Sequence, residues 1–200
     1  MIPEEDPRRK ALLDAAAELF FKHGYADTSV DDIIARAGGS KRTIYAFFGN
    51  KQGLFEALLR ENARSMFDGL EPGTTDTSNL SSALTSFAEK LLALLAQPRA
   101  IAAFRVAVGE LPRIPALAAI FNEMGPERGL TWLTDVLKRA HDRGEIVIGD
   151  PREAASQFLG LVRGNDYFEI ILGLRSPPSA ETVALQARAA CELFLKAVRA

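Results

Sequence analysis

Apolar side chains recur every three or four residues along nearly the whole chain, and strand-like alternation does not persist anywhere. The first example is the face formed by Leu12, Ala16 and Phe20, which Asp6 begins as an N-cap and Gly24 ends. Similar stretches follow along the chain and are separated by glycines and prolines. The pattern predicts an all-α fold of about nine to ten helices.

Two of the predicted helices are short and are separated by a pair of glycines within residues 29–48. Ser29 is expected to cap the first of them and Ser40 the second. Ile44 and Phe48 are four residues apart, so both are expected to hold the second helix against its neighbours. Two short helices around a glycine-containing turn form the helix-turn-helix arrangement, whose second helix enters the major groove of DNA.

The outward face of the second short helix carries groups that suit DNA. Lys41 and Arg42 can donate hydrogen bonds to guanine edges or phosphates, and Thr43 and Tyr45 offer hydroxyls to phosphate oxygens. Phe47 can contact thymine methyl groups or a sugar edge. The predicted DNA-binding residues are Thr28, Ser29, Ser40, Lys41, Arg42, Thr43, Tyr45, Phe47 and Lys51.

This segment resembles the DNA-binding domain of the tetracycline-repressor (TetR/AcrR) family. The matching residues are Thr28, Ser29, Val30, Ile33, Ala37, Gly38, Ser40, Lys41, Thr43, Tyr45, Phe48, Lys51 and Leu54. The chain departs from the family pattern at Ile34, Gly39, Arg42 and Phe47. Because Arg42 adds a hydrogen-bond donor on the recognition helix, the resemblance does not fix the operator sequence.

A weaker resemblance extends downstream to the C-terminal domain of AefR-like regulators, which binds an effector and dimerises through its last two long helices. It rests on residues 104–115, on Phe121 with residues 125–128, and on residues 144–145, 150–151 and 157–162. The resemblance implies an N-terminal three-helix helix-turn-helix DNA-binding domain over residues 1–55. Residues 56–200 would form a helical effector-binding and dimerisation domain. The implied partners are double-stranded operator DNA, a small apolar or amphipathic effector and a second copy of the chain.

Aromatic and polar residues on several downstream helices are candidates for the effector pocket, although the same residues are equally suited to a plain core. The candidates are Phe87, Phe104, Arg105, Phe121, Met124, Trp132, Phe158 and Arg163. The last two predicted helices are more apolar than one small domain needs, which predicts a four-helix dimer seam. Its candidate residues are Phe158, Leu161, Val162, Val183, Ala187, Ala190 and Phe194.

Composition narrows the functional classes. The net charge of −2 does not suggest a DNA-binding protein, but residues 41–51 contain three basic and no acidic side chains. The single cysteine, Cys191, excludes an internal disulfide framework, and neither His23 nor His141 has a second ligand at metal-binding spacing. No membrane-length apolar run or signal-like N-terminus is present, so a cytoplasmic protein without cofactor or metal is expected.

The sequence favours a DNA-binding repressor that a small molecule controls, but two alternative functions remain open. The protein could be an activator or a ligand-independent architectural factor that uses the same DNA-binding helices. It could also be a helical small-molecule-binding or catalytic domain with a vestigial helix-turn-helix. The cationic residues Lys41, Arg42 and Lys51 argue against a vestigial motif, and no catalytic motif is recognisable in the sequence.

Overall fold

Eleven α-helices form the part of the chain that the computed structural model describes, residues 6–67 and 79–199. They are α1 Pro7–His23, α2 Val30–Ala37, α3 Lys41–Phe48, α4 Lys51–Phe67, α5 Leu80–Leu95, α6 Pro98–Glu110, α7 Ala116–Met124, α8 Pro126–Asp142, α9 Pro151–Arg163, α10 Asp166–Leu172 and α11 Ala180–Val198. Within these ranges the only β pairing is an isolated bridge between Ile146 and Arg199. The all-α class is therefore confirmed. The stretch from Glu71 to Asn79 is rich in Pro, Gly, Thr, Ser and Asp, which predicts a loop, but all of it except Asn79 lies outside the described residues.

One predicted helix is divided in two, which takes the helix number above the expected count. The sequence pattern predicts a continuous helix from Asp150 to Leu172, whereas the structure ends α9 at Arg163, caps it with Gly164 and starts α10 at Asp166. Gly164 has a φ of +56°, which a right-handed helix cannot accommodate, and its N–H donates to the carbonyl of Gly160. A glycine in an apolar helical pattern is compatible with a continuous helix, so the pattern alone did not reveal this break.

Local capping signals explain where the N-terminal helices begin and end. The carboxylate of Asp6 accepts a hydrogen bond from the backbone N–H of Arg8, and Pro7 occupies the first helical position. Gly24 and Gly49 follow α1 and α3 with φ of +87° and +78°, and each donates its N–H back to the preceding helix. These glycines end the helices at the positions that the sequence predicts.

The helices divide into two compact units. The first contains α1 to α3, α4 as far as Ser65, α6 from Ala102 onward, and α7. Its core includes the fully buried side chains of Phe20, Ile33, Ile44 and Phe55. The aromatic rings of Phe20 and Phe55 meet edge to face with centroids 5.2 Å apart. Ile33 belongs to α2 and Ile44 to α3, so packing in this core holds both short helices in place.

The second unit contains α5, the start of α6, and α8 to α11. Its core is a separate apolar cluster in which the stacked rings of Phe87 and Trp132 lie 4.9 Å apart. Phe158 of α9 and Phe194 of α11 also meet edge to face, with centroids 5.1 Å apart. These two packing units do not test the predicted functional domains, which are a DNA-binding domain over residues 1–55 and an effector-binding and dimerisation domain over residues 56–200. That division stays a prediction.

No single helix of the described residues is both long and apolar enough to cross a membrane. Only α5 and α6, when taken together across the break between them, reach the necessary length and composition.

Candidate functional site

The short helix α2 begins with a reciprocal pair of hydrogen bonds. The Ser29 hydroxyl oxygen accepts from the backbone N–H of Asp32 at 3.1 Å, and the Asp32 carboxylate accepts from the backbone N–H of Ser29 at 2.9 Å. This capping box satisfies two backbone donors that an eight-residue helix would otherwise expose. Its hydrogen bonds from Ser29 hold the pKa of the Asp32 carboxyl below its ordinary value.

The turn between α2 and α3 consists of Gly38, Gly39 and Ser40. The two glycines have φ of +78° and +99°, a region that side chains with a Cβ rarely adopt. Ser40 then caps α3, because its hydroxyl oxygen accepts from the backbone N–H of Thr43 at 3.3 Å. The predicted helix-turn-helix therefore has a fixed start and a fixed turn.

The inner and outer faces of α3 are clearly separated. Ile44 is fully buried in the core of the first unit, as expected, and Phe48 is half-buried. Phe48 also lies under the guanidinium of Arg9, 5.6 Å from the ring centroid. Arg42 is exposed on the outer face, and half of the Tyr45 side chain is exposed. The side of α3 that carries Arg42 and Tyr45 therefore faces solvent and is called the outer face of α3.

The two cations of α3 differ in their surroundings. The Lys41 ammonium lies 2.9 Å from a carboxylate oxygen of Asp31 on α2, and this pairing raises the Lys41 pKa. Both side chains are exposed, so water and salt screen the pair strongly. Arg42 makes no ion pair within residues 6–67 and 79–199. Arg42 is therefore the α3 cation whose donors are available without breaking a contact in the protein.

Lys51, at the start of α4, is already oriented by the first unit. Its Nζ lies 4.3 Å above the centroid of the Tyr25 ring and donates to the carbonyl of Ala26 at 3.4 Å. Burial lowers the Lys51 pKa, although nearby carboxylates such as Glu110 oppose that change. An ammonium group has three donors, so the contact to Ala26 leaves others for a phosphate.

Two predicted DNA contacts are placed differently from the expectation. Thr28 is 2% exposed, and its hydroxyl donates to the carbonyl of Gly24 at 2.8 Å. This hydroxyl closes the end of α1 and is not presented to a ligand. Phe47 is half-buried against the core, with its ring centroid 5.8 Å from that of Phe48. Only part of the Phe47 side chain is therefore left for a base or sugar contact.

Sequence reasoning also missed the role of Asp31. It treated residues 41–51 as a local cluster of positive charge, but Asp31 pairs with Lys41 once the turn brings α2 beside the start of α3. The two residues are ten positions apart, so helical periodicity within one segment gives no sign of the pair.

Comparison with known proteins identifies this arrangement. A family model described as bacterial regulatory proteins, tetR family, matches residues 12–58. A second model, described as the AefR-like transcriptional repressor C-terminal domain, matches residues 82–200. The chain belongs to the TetR family. Members of this family are transcriptional regulators, so this TetR-family protein is a DNA-binding regulator and not an enzyme.

Individual relatives cover nearly the whole chain. The HTH-type transcriptional regulator YvkB from Bacillus subtilis is 30% identical over 194 residues, which is 97% of this chain and 98% of YvkB. A TetR-family regulator of known structure from Mesorhizobium loti has a TM-score of 0.86 at 27% identity and covers 100% of both chains. The Flavonoid-responsive Regulator FrrA has a TM-score of 0.82 at 35% identity, covering 96% of this chain and 97% of FrrA.

The candidate effector residues of this TetR-family protein divide between its two units. Phe104 and Phe121 meet edge to face in the first unit, with centroids 5.3 Å apart, and Arg105 is exposed there. The Met124 side chain lies outside the described residues. Phe87, Trp132 and Phe158 are buried in the core of the second unit, and Arg163 is exposed at a cavity of that unit. These three aromatic side chains pack in the core of the second unit, and their role as effector contacts stays a prediction.

Most of the predicted dimer residues are buried within one protomer, which the sequence pattern does not reveal. Phe158, Val162, Val183, Ala187, Ala190 and Phe194 pack inside the core of the same protomer, and only Leu161 is exposed. On α10, on α11 and in the loop between them, five other large apolar side chains are instead exposed, with accessibilities between 58% and 76%. They are Phe168, Leu172, Leu174, Leu185 and Leu193. The α11 helix carries apolar residues on two sides. The side that includes Ala187 and Phe194 faces the core of its own unit, and the side that includes Leu185 and Leu193 is exposed.

One sequence signal for this exposed face was available. Leu185, Ala189 and Leu193 follow one another at four-residue spacing along α11, separate from the buried series that contains Ala187 and Cys191.

In the described residues, no group of three or more His, Cys, Asp or Glu side chains is arranged to hold a metal ion.

Proposed function

We propose that this TetR-family regulator is a homodimeric repressor that binds a near-palindromic operator and is released by a small apolar or amphipathic molecule. The observation that carries the proposal is the outer face of α3. Arg42 and Tyr45 are exposed there while Ile44 fixes the helix from behind. A rigid helix with a free guanidinium is suited to bidentate recognition of guanine in the major groove.

The neighbouring groups suit contacts to the DNA backbone. The phenol of Tyr45, the hydroxyl of Thr43 and the ammonium of Lys51 can each donate to a phosphate oxygen. Lys41 is assigned to a phosphate contact too, since its pair with Asp31 is exposed and readily exchanged for a phosphate. We therefore assign sequence reading to Arg42 and backbone positioning to the other groups.

A dimer is supported by the exposed apolar face of α9 to α11. Leu172, Leu185 and Leu193 are large apolar side chains that a lone protomer leaves in water. Several large apolar side chains left exposed on the terminal helices of one unit indicate an interface with another protein chain. A two-fold dimer has two recognition helices, which we expect to read two half-sites in successive major grooves about 34 Å apart on one side of the DNA.

Control by a small molecule is supported by the AefR-like match of residues 82–200 and by the similarity to FrrA, a flavonoid-responsive regulator. Such a ligand can act only by binding more tightly to the conformation that does not bind DNA. Its coupling free energy is expected to be about 1–3 kcal/mol, as in other allosteric proteins.

A selection from randomised double-stranded DNA at about 0.15 M salt tests the proposal, because weak sequence-independent binding is strongly reduced there. Purified full-length protein should enrich an inverted repeat whose half-sites are about 10 base pairs apart. The variant Arg42→Ala/Tyr45→Ala should enrich no motif while keeping the helical content of the wild type. If wild-type protein enriches no inverted repeat, the proposed operator-binding function is wrong.

A further inference from the structure

The second unit contains a cavity of about 180 Å³ at the break between α9 and α10. Its floor is apolar and includes the buried side chains of Leu92 and Ile170. Its rim is polar and includes the exposed side chains of Arg163 and Arg175. An apolar floor with a few convergent polar groups is the arrangement typical of a small-molecule site.

The acidic group of the cavity already has two partners on one of its oxygens. The carboxylate of Asp166 contacts the guanidinium of Arg175 and accepts a hydrogen bond from Nε2 of Gln186 at 2.8 Å. Arg175 also lies 3.8 Å from a carboxylate oxygen of Glu169. The positive charge of Arg175 is therefore balanced within the protein, and Asp166 is not free to attract a cation.

Arg163 contributes a positive charge that is not balanced in this way. Its Nε donates to the carbonyl of Leu159 at 3.2 Å, and no carboxylate of residues 6–67 or 79–199 pairs with it. Its charge reaches the neighbouring phenol of Tyr167, where it opposes the rise in pKa that burial causes. The terminal nitrogens of the guanidinium remain available as donors, since the contact to Leu159 uses only Nε.

We propose that this cavity binds a small aromatic monocarboxylate, with the carboxylate on Arg163 and the ring on the apolar floor. A guanidinium and a carboxylate form a charge-assisted pair of hydrogen bonds, which favours this anion over a neutral molecule of the same shape. An apolar cavity of about 150 Å³ holds a benzene ring. The cavity volume of about 180 Å³ therefore fits one ring with a small substituent and is too small to enclose a long acyl chain.

The site has a direct connection to the exposed apolar face. Ile170 lines the cavity, and Phe168 and Leu172 of the same short helix α10 are exposed. A ligand that fixes α10 therefore acts on the helix that also contributes to the proposed dimer surface. This regulatory meaning rests on the proposed repressor function, whereas binding of the carboxylate does not.

Calorimetric titration of the full-length protein without DNA tests the site. The probes are benzoate, phenylacetate and 4-hydroxybenzoate, with benzamide and benzyl alcohol as neutral ring compounds and stearate as a long-chain acid. At least one aromatic carboxylate should bind about tenfold more tightly than the neutral compounds, and stearate should not compete with it. Arg163→Gln should remove the tenfold preference. Arg139→Gln, an exposed arginine in the last turn of α8, is the matched control and should keep it.

A second variant tests the position of the site without changing its charge. Ala96 lines the cavity after the end of α5, so Ala96→Leu should fill the space and abolish binding of all ring compounds. Thermal unfolding by circular dichroism checks that each variant is folded. The proposal is overturned if no aromatic carboxylate binds the wild type, if Arg163→Gln binds it equally well, or if folded Ala96→Leu still binds it. Because the titrations contain no DNA, these outcomes are independent of the operator selection.

Discussion

The helix-turn-helix, formed by α2 and α3, and the terminal helices α9 to α11 expose opposite kinds of side chain. The outer face of α3 is cationic and polar, with Arg42 and Tyr45 in solvent. The terminal helices leave Leu172, Leu185 and Leu193 in solvent. A polar cationic face suits a hydrated polyanion, whereas exposed leucines suit another apolar protein surface.

The two regions also hold their shape in different ways. The helices α2 and α3 have eight residues each and bury little beyond Ile33 and Ile44, so they depend on caps and on the glycine turn. The 19-residue helix α11 instead buries one side in an extensive core. The first region is therefore sensitive to changes in local backbone geometry. The second tolerates such changes but is sensitive to polar groups on its apolar sides.

The largest expected effect comes from placing charge on the exposed apolar face. Leu185→Glu combined with Leu193→Glu should convert the proposed dimer into a monomer, because carboxylates in an apolar interface lose their hydration without gaining a partner. Operator affinity should fall by at least about 100-fold, since the two DNA-binding domains would no longer bind as one bivalent unit. Light scattering after size exclusion and fluorescence anisotropy with operator DNA measure the two effects.

Val147→Glu is the matched control for this pair. Val147 is 63% exposed in the loop after α8 and lies on none of the three terminal helices. It should remain dimeric and keep its operator affinity. A dimer that survives Leu185→Glu/Leu193→Glu would contradict the assignment of the interface to this face.

Much of the recognition region could be predicted from sequence because its determinants are local. The caps Ser29 and Ser40 and the glycine turn each depend on residues within four positions along the chain, and the inward orientation of Ile44 is indicated by its four-residue spacing to Phe48. What could not be predicted involves contacts across elements. The ion pair of Lys41 with Asp31 requires the turn to be formed, and periodicity does not reveal where the Thr28 hydroxyl points.

The terminal helices show the limit of periodicity more clearly. The pattern identified α11 as an apolar helix, but two of its sides carry apolar residues and the pattern does not say which side meets the core. The residues chosen for the dimer, such as Ala187 and Phe194, are buried within the protomer, while Leu185 and Leu193 are exposed. The choice between the sides is made by packing against α5 and α9, which are distant in sequence.

A smaller effect is expected for Arg42→Ala on the recognition face. Loss of one bidentate base contact should reduce operator affinity by about 1–3 kcal/mol and relax the base preference at one position of each half-site. Binding to unrelated DNA should change less. Anisotropy titrations with the selected operator and with single-base variants provide the measurement. Arg60→Ala is the control, because Arg60 is an exposed cation about two and a half turns into α4 and should leave the preference unchanged.

The two regions should respond in opposite directions to glycine replacement. Gly38→Ala should lower the free energy of unfolding by about 1–3 kcal/mol, because φ at Gly38 is +78° and ψ is 173°, a conformation largely restricted to glycine. Gly160→Ala lies inside α9 with open space around the added methyl group, so it should raise stability by up to about 1 kcal/mol. Urea unfolding compares both variants, and equal signs would contradict the distinction.

The smallest effect is a difference in acid sensitivity between two helix starts. The cap of α2 uses the Asp32 carboxylate, whereas the cap of α11 uses the Ser179 hydroxyl, which does not titrate in this range. The Asp32 pKa is lowered in the folded protein by hydrogen bonds from Ser29. A lowered pKa means that this stabilisation is present above the ordinary aspartate value of about 3.9 and is lost as the pH falls through the folded value.

Amide resonances at the start of α2 should therefore lose protection below about pH 4 before those of α11. Asp32→Asn should weaken α2 protection at neutral pH and remove its pH dependence, while Asp135→Asn, at an exposed position of α8, should change neither.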